Sequence, residues 1–214
     1  MTRLAPALSP GLLAAAVLLL ALAFPSAVPP AGAQTVASRN PGDVESGTYQ
    51  VDPLHTQILW GVSHIGFTTF YGRFNDITGT LHLDPANPAA SALQVTLPAD
   101  SISTPVPELD QRLKSPAWLD VAKFPTIRFV TTAITRTGRD SASITGNLTL
   151  HGITRPVTLA ATFNGAGINP VDHKYTVGFQ LTGMMRRSAF GISAYEPLIG
   201  DELQLTIAAA FEKS

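Results

Sequence analysis

Ile58-Leu59-Trp60-Gly61-Val62-Ser63-His64 alternates, with Ile58, Trp60, Val62 and His64 on one face and Leu59, Gly61 and Ser63 on the other. A period of two is the mark of an extended segment with one buried face. Leu93, Val95 and Leu97 repeat the pattern, as do Val157, Leu159, Ala161 and Phe163, and then Leu203, Leu205, Ile207, Ala209 and Phe211. Residues 70–83, 126–136, 142–150 and 174–184 add further strand-like stretches. Turn chemistry separates the runs at Asp84-Pro85, Thr137-Gly138-Arg139-Asp140, Asn164-Gly165, Asn169-Pro170 and Gly200-Asp201. Eight or nine strands at hairpin spacing predict an all-β chain, an antiparallel sandwich or barrel.

One stretch departs from this. In Pro107-Glu108-Leu109-Asp110-Gln111-Arg112-Leu113-Lys114 the leucines are four apart, Pro stands at a first-turn position, and Asp110 is placed to face Lys114. Ser115-Pro116 offers the start of a second short turn. A short helical insert is therefore expected near residues 107–122.

The N-terminus is a different kind of sequence. Arg3 is the only charge before Arg39, residues 11–24 form an apolar run, and Ala31-Gly32-Ala33 follows. The run falls short of the ~20 residues a helix needs to span a bilayer. Positive start, short apolar core and small-x-small end together match a secretory signal peptide over residues 1–33, cleaved after Ala33. Residues 34–46 are small and polar and read as a flexible lead-in, and residues 47–214 as a single domain.

Composition excludes several functions. The chain of 214 residues has 14 basic and 15 acidic side chains, a net charge of −1, and no cysteine. Nucleic-acid binding by counterion release needs clustered Lys and Arg, and no basic run is present. A disulfide framework, a zinc–thiolate site and a thiol nucleophile are ruled out. There is no G-x-S-x-G elbow, and His55, His64, His82, His151 and His173 show none of the close spacings of a zinc helix. No catalytic residue, metal ligand or cofactor is assigned. His64 stands apart because strand parity turns it toward the apolar face, where an imidazole needs a partner. Arg186 and Arg187 are the candidates for an anionic headgroup.

Several segments, in order, resemble the YceI-like family of polyisoprenoid-binding, lipocalin-like periplasmic proteins. They are Tyr49-Gln50-Val51-Asp52 with His55, Gly72-Arg73-Phe74 with Gly79, and Ser101-Ile102-Ser103-Thr104. They continue with Leu113-Lys114-Ser115 through Asp120-Val121-Ala122-Lys123-Phe124-Pro125-Thr126-Ile127-Arg128-Phe129, and with Gly146-Asn147-Leu148-Thr149-Leu150-His151-Gly152-Ile153-Thr154-Arg155-Pro156-Val157. Arg187-Ser188 followed by Phe190-Gly191-Ile192 is the last. Two departures concern polar contacts: Arg112 stands where the family often has His, and Ala189 where it has an acidic residue.

The resemblance implies a single eight-stranded antiparallel lipocalin-like barrel enclosing a long apolar lipid, namely a polyisoprenoid, an isoprenoid quinone or an acyl amide. A barrel of eight strands is just wide enough to be filled by side chains or to hold one small ligand. Composition alone favours a filled core; the resemblance reverses that balance. The lipid would meet Trp60, Val62, His64, Phe67, Phe70, Phe74, Phe129, Phe163, Phe179, Arg187 and Phe190, with Gly61, Ala160, Ala161, Gly178, Ala208 and Ala209 leaving room. The expected role is non-enzymatic binding, transport or storage of the lipid in the periplasm, with no permanent membrane span after export. The resemblance also admits a homodimer, for which no apolar stripe argues. The competing reading is a lipid hydrolase or isomerase on the same barrel with His64 as base. Export has a direct check: protein isolated from its native host should begin at Gln34 on N-terminal sequencing, and Met1 retained on membrane-bound protein would overturn it.

Overall fold

A computed structural model describes residues 36–214; the leader expected over residues 1–33 and its cleavage point lie outside the described residues. The strand segments are β1 (Gly47–Val51), β2 (Gln57–His64), β3 (Thr68–Phe74), β4 (Thr78–Leu83), β5 (Ala92–Pro98), β6 (Ile102–Ser103), β7 (Thr126–Arg136), β8 (Ser141–Leu150), β9 (Ile153–Ile168), β10 (Tyr175–Arg186) and β11 (Ile199–Lys213). One short helix, α1 (Pro107–Leu113), follows β6. All pairings between these strands are antiparallel.

These segments build the expected barrel of eight lines. β1 and β2 are halves of one line, since both pair with β11 and they meet β4 and β3 in turn. β3 runs on into β4, and β5 into β6, in the same manner. β7 to β10 complete the wall, and the β1–β11 pairing closes it. The stretch 70–83, expected as one strand, breaks at Asn75–Ile77, where Asp76 has φ +56°. Asn164-Gly165, expected as a turn, lies inside β9, where the register to β10 shifts, so the extra residue is absorbed as a bulge. The turn falls instead at residues 169–174.

Alternation decides what is inside. Val157, Leu159 and Ala161 of β9 are buried while Thr158, Ala160 and Thr162 are exposed. On β2, Trp60 and Val62 are buried and Leu59 and Ser63 exposed. Gly61 is buried on the outer face, because the Tyr71 ring covers it.

The two ends differ. At the end carrying the β1 start, the lead-in is not loose from Ser38 onward. Ser38 pairs with Ala166, Asn40 caps a 3-10 turn at Pro41–Asp43, and Val44 is buried. Two tyrosines hold it there: the Tyr49 hydroxyl donates to the Glu45 carbonyl at 2.5 Å, and the Tyr175 hydroxyl to the Asp43 carbonyl at 3.1 Å. Burial pushes the Tyr49 phenol up to about 12, helped by neighbouring Tyr175 and Glu45.

At the opposite end α1 and the segment after it lie over the strand ends. Asp110 does not pair with Lys114; its carboxylate accepts from the Thr104 N–H at 2.8 Å and the Thr104 hydroxyl at 2.7 Å, fixing the entry to the helix. The segment between β10 and β11 is organised by Arg187, only 3% exposed. Its Nε donates to the Gly200 carbonyl (2.8 Å), Nη1 to Ile192 and Ala194 (3.0 Å each) and Nη2 to Ile199 (2.8 Å), with Glu196 3.7 Å from Nη2. Ser188 beside it is held by Asp201, which accepts from both its N–H and its hydroxyl.

Substitutions at three positions test this arrangement by denaturant unfolding. Val62→Lys, which puts an unpaired charge in the apolar interior, should cost about 3 kcal/mol or more, whereas Ser63→Lys should change stability by no more than about 0.5 kcal/mol. Arg187→Met strands four carbonyls without donors and should cost about 3–5 kcal/mol. Arg187→Lys should not restore it, because an ammonium cannot span the same fork of acceptors.

Candidate functional site

The inward faces of all eight lines enclose a cavity of about 880 Å³. Aliphatic side chains make most of its wall, among them Ile58, Leu81, Leu97, Ile127, Leu159 and Leu205. Polar groups gather at the ends: His64 and Arg112 where α1 lies, and Arg136, Arg139 and Asp140 at the other. Arg136 is already engaged, its Nε and Nη2 donating to the Gly138 and Arg139 carbonyls.

Most of the aromatic residues expected inside line this cavity: Trp60, Phe70, Phe74, Phe129, Phe163 and Phe179, together with Val62. Phe163, Phe179 and Phe211 form a ladder across β9, β10 and β11, with centroids 5.9 and 6.2 Å apart. Trp60 Nε1 is the one buried side-chain polar atom among the described residues without a hydrogen-bond partner.

Room for the cavity comes from residues other than those expected. Of the small residues named from the sequence, only Ala161 and Ala209 face it. What keeps the lumen open is glycine set beneath aromatic rings. A Cβ on Gly72 would stand 2.2 Å from Trp60 Cζ2, and one on Gly146 would stand 2.4 Å from Phe129 Cζ. With no side chain below them, both rings lie against the sheet instead of across the lumen. The cross-strand register Trp60–Gly72 was the signal for this, and it is invisible until the hairpin is paired.

Four expected site residues are placed differently. Phe67 is 85% exposed, because it ends the β2–β3 turn, donating its N–H to the His64 carbonyl, and so points away from the strand face. Phe190 is 1% exposed but packs within the loop that Arg187 organises, not on the cavity wall. Arg187 touches the cavity, and four of its five N–H groups are committed to backbone carbonyls, so it holds the loop. His64 lines the cavity at its end but is exposed, with Phe70 6.2 Å away, so it is no buried imidazole in search of a partner.

Motif histidines elsewhere are structural. His55 Nδ1 lies 2.5 Å from Asp52, whose other carboxylate oxygen accepts from the Leu54 and His55 N–H groups. Burial pushes the Asp52 carboxyl up, but these hydrogen bonds from His55 and Leu54 outweigh it and hold the group below its ordinary range. His151, in the turn between β8 and β9, has Nδ1 2.9 Å from the Phe190 carbonyl and meets the Phe124 ring edge-on. Among the described residues no group of three His, Asp or Glu side chains is placed to hold a metal, and no helix is long and apolar enough to cross a membrane.

Residues 49–211 match the model of the YceI-like domain. A UPF0312 protein of Pseudomonas savastanoi pv. phaseolicola is 39% identical over 158 residues, covering 73% of this chain and 82% of that one. Among solved structures, Burkholderia cenocepacia BcnA is similar with TM-score 0.68 and 23% identity, over 75% of this chain and 98% of that one. A polyisoprenoid binding domain from Saccharophagus degradans, implicated in plant cell wall breakdown, has TM-score 0.62 and 13% identity, over 78% and 98%. The family match over residues 49–211 and the Pseudomonas savastanoi relative place the chain, with its barrel and apolar lumen, in the YceI-like family.

Proposed function

We propose that this protein binds a long apolar lipid in its barrel without transforming it, and carries or stores that lipid outside the cytoplasm after export. The observation that carries the reading is the cavity: about 880 Å³ enclosed by apolar side chains, with its charged groups only at the ends. A fold neighbour described as a polyisoprenoid binding domain supports an isoprenoid chain, free or as the tail of a quinone, ahead of a long acyl amide. Membership of the YceI-like family and the signal-like sequence of residues 1–33 support the periplasm as the compartment.

Energetics suit a carrier. Burying some 600 Å² of an isoprenoid tail gains about 15 kcal/mol relative to water at ~25 cal/mol per Å². A membrane solvates the same tail, and ordering the chain takes part of the gain back. Transfer between bilayer and barrel is therefore a small difference, and reversible. Phe129 and Trp60, flat against the wall, supply ring faces to the chain without narrowing its path.

Organic extraction of the purified protein followed by mass spectrometry should recover an intact lipid. Stripping that lipid should lower the melting temperature, and adding the long isoprenoid alcohol solanesol should restore it. A hundredfold excess over Kd is worth about 2.7 kcal/mol, or roughly 5–10 °C for a chain of this size. Phe129→Ala should show a smaller restoration than wild type, because part of the wall is gone. A delipidated protein that melts where the loaded one does, with no response to any isoprenoid, overturns the reading.

A further inference from the structure

The barrel end that carries α1 is ringed by apolar side chains in contact with water. Ile65 and Phe67, at the turn between β2 and β3, are 47% and 85% exposed; Tyr195 and Leu198, in the loop before β11, are 59% and 58%; Val106, just ahead of α1, is 42%. One exposed apolar side chain is ordinary. Several gathered on the loops of one end form a patch, and patches mark interaction sites. Ile65, Tyr195 and Leu198 also line the cavity. Apolar side chains therefore continue from the lumen onto its rim, with His64 and Arg112 beside them. The two loops are joined there, the Ile65 N–H donating to the Leu198 carbonyl at 2.8 Å.

Folding alone does not account for these residues. Ile65 has φ +54° and Gly66 φ +71°, a two-residue turn with both central residues left-handed. Asn is at ease in the first of those positions, and a β-branched side chain is strained there. Tyr195 has φ +61°. At two places on the rim a bulky apolar residue is thus held in a backbone conformation that favours a small or polar one. Strain of this kind is retained at functional loops.

We propose that this rim docks on a lipid bilayer, with Phe67 and Ile65 entering the interfacial region so that the mouth of the lumen faces the membrane. A long apolar chain then passes between bilayer and barrel without crossing water. The proposal rests on the reading of the lumen as a lipid site. A protein partner fits the rim less well: a stable interface needs ~800 Å² of complementary surface per side, whereas these side chains stand on separate loop tips around an opening. Charge on the loops of this end is balanced, with Glu108, Asp120 and Glu196 against Arg112, Lys114 and Lys123, while Asp110 is engaged by Thr104 and Arg187 by carbonyls. Attraction is accordingly apolar, and a zwitterionic membrane suffices.

The test is flotation of the purified chain with phosphatidylcholine vesicles. Wild type should float with the vesicles, and raising the salt from low to molar should change binding by less than about twofold. Phe67→Ser should weaken binding about tenfold or more, and Phe67→Trp should keep it. Ile65→Asn should also weaken it, with a melting temperature no lower than wild type, since Asn suits the turn. A separate arm, solanesol added from ethanol without vesicles, should stabilise wild type and Phe67→Ser equally, because Phe67 is not on the cavity wall. Wild type that stays soluble, Phe67→Ser that floats like wild type, or binding abolished by salt overturns docking. So does a concentration-dependent dimer, lost in Phe67→Ser, in place of flotation. Solanesol that stabilises neither protein counts against the lipid lumen and not against flotation, so the two failures are told apart.

Discussion

Closure of the wall at Ala210 is the constraint on which this structure depends. β11 is held along its length by β10 on one side, but its other side is shared between β2 and β1, which are interrupted at Asp52–Thr56. The interruption would leave the peptide groups of Ala210 without partners. Instead the Ala210 N–H donates to Thr56 Oγ1 at 3.0 Å, and its carbonyl accepts from the Asp52 N–H at 2.9 Å and the Thr56 hydroxyl at 3.1 Å. Buried peptide groups left unmade cost about 1–3 kcal/mol each, and an open edge invites pairing with other chains. The Asp52–His55 pair shapes the loop that delivers those donors. The Asp52–His55 motif is a splice between two strand segments.

A closed wall of eight lines would by itself allow a solid core. At the lead-in end Tyr49 and Val177 are fully buried, and Pro41 and Val44 line the cavity, which reaches Arg136 and Arg139 there. Farther along, Gly72 and Gly146 let Trp60 and Phe129 lie flat, and the lumen stays open. The wall contributes area and shape but few polar groups, and those lie mainly at its ends. At the α1 end, Arg187 ties the loop of Tyr195 and Leu198 to the barrel through four carbonyls, and Trp118 stacks on Tyr195 at 6.0 Å. The same buried cation that looked like a headgroup contact is what gives the rim a fixed form.

Much of this was legible before any pairing was known. Alternation named the strands 126–136 and 142–150 to within a residue, and it turned Trp60, Val62 and Phe163 inward. It failed wherever a residue leaves the strand. Phe67 shares the composition of its neighbours but follows a left-handed turn, and Phe190 belongs to a short 3-10 turn, so parity had no bearing on either. Asn164-Gly165 carries turn chemistry, yet the ladder to β10 continues past it.

What the sequence by itself determined was the period of two, the order of hairpins, and which side chains seek burial, because all of these are set within a few residues along the chain. It could say that a side chain points in, but not how deep in the lumen it lies or what stands opposite. Those depend on the stagger of eight strands around a closed wall. Only the tertiary structure set Gly72 under Trp60, brought Gly200, Ile192, Ala194 and Ile199 to one guanidinium, and gathered Ile65, Phe67, Val106, Tyr195 and Leu198 from three separate loops onto one rim. Closure of a barrel is a non-local event, and contacts between loops distant in sequence exist only once it has happened.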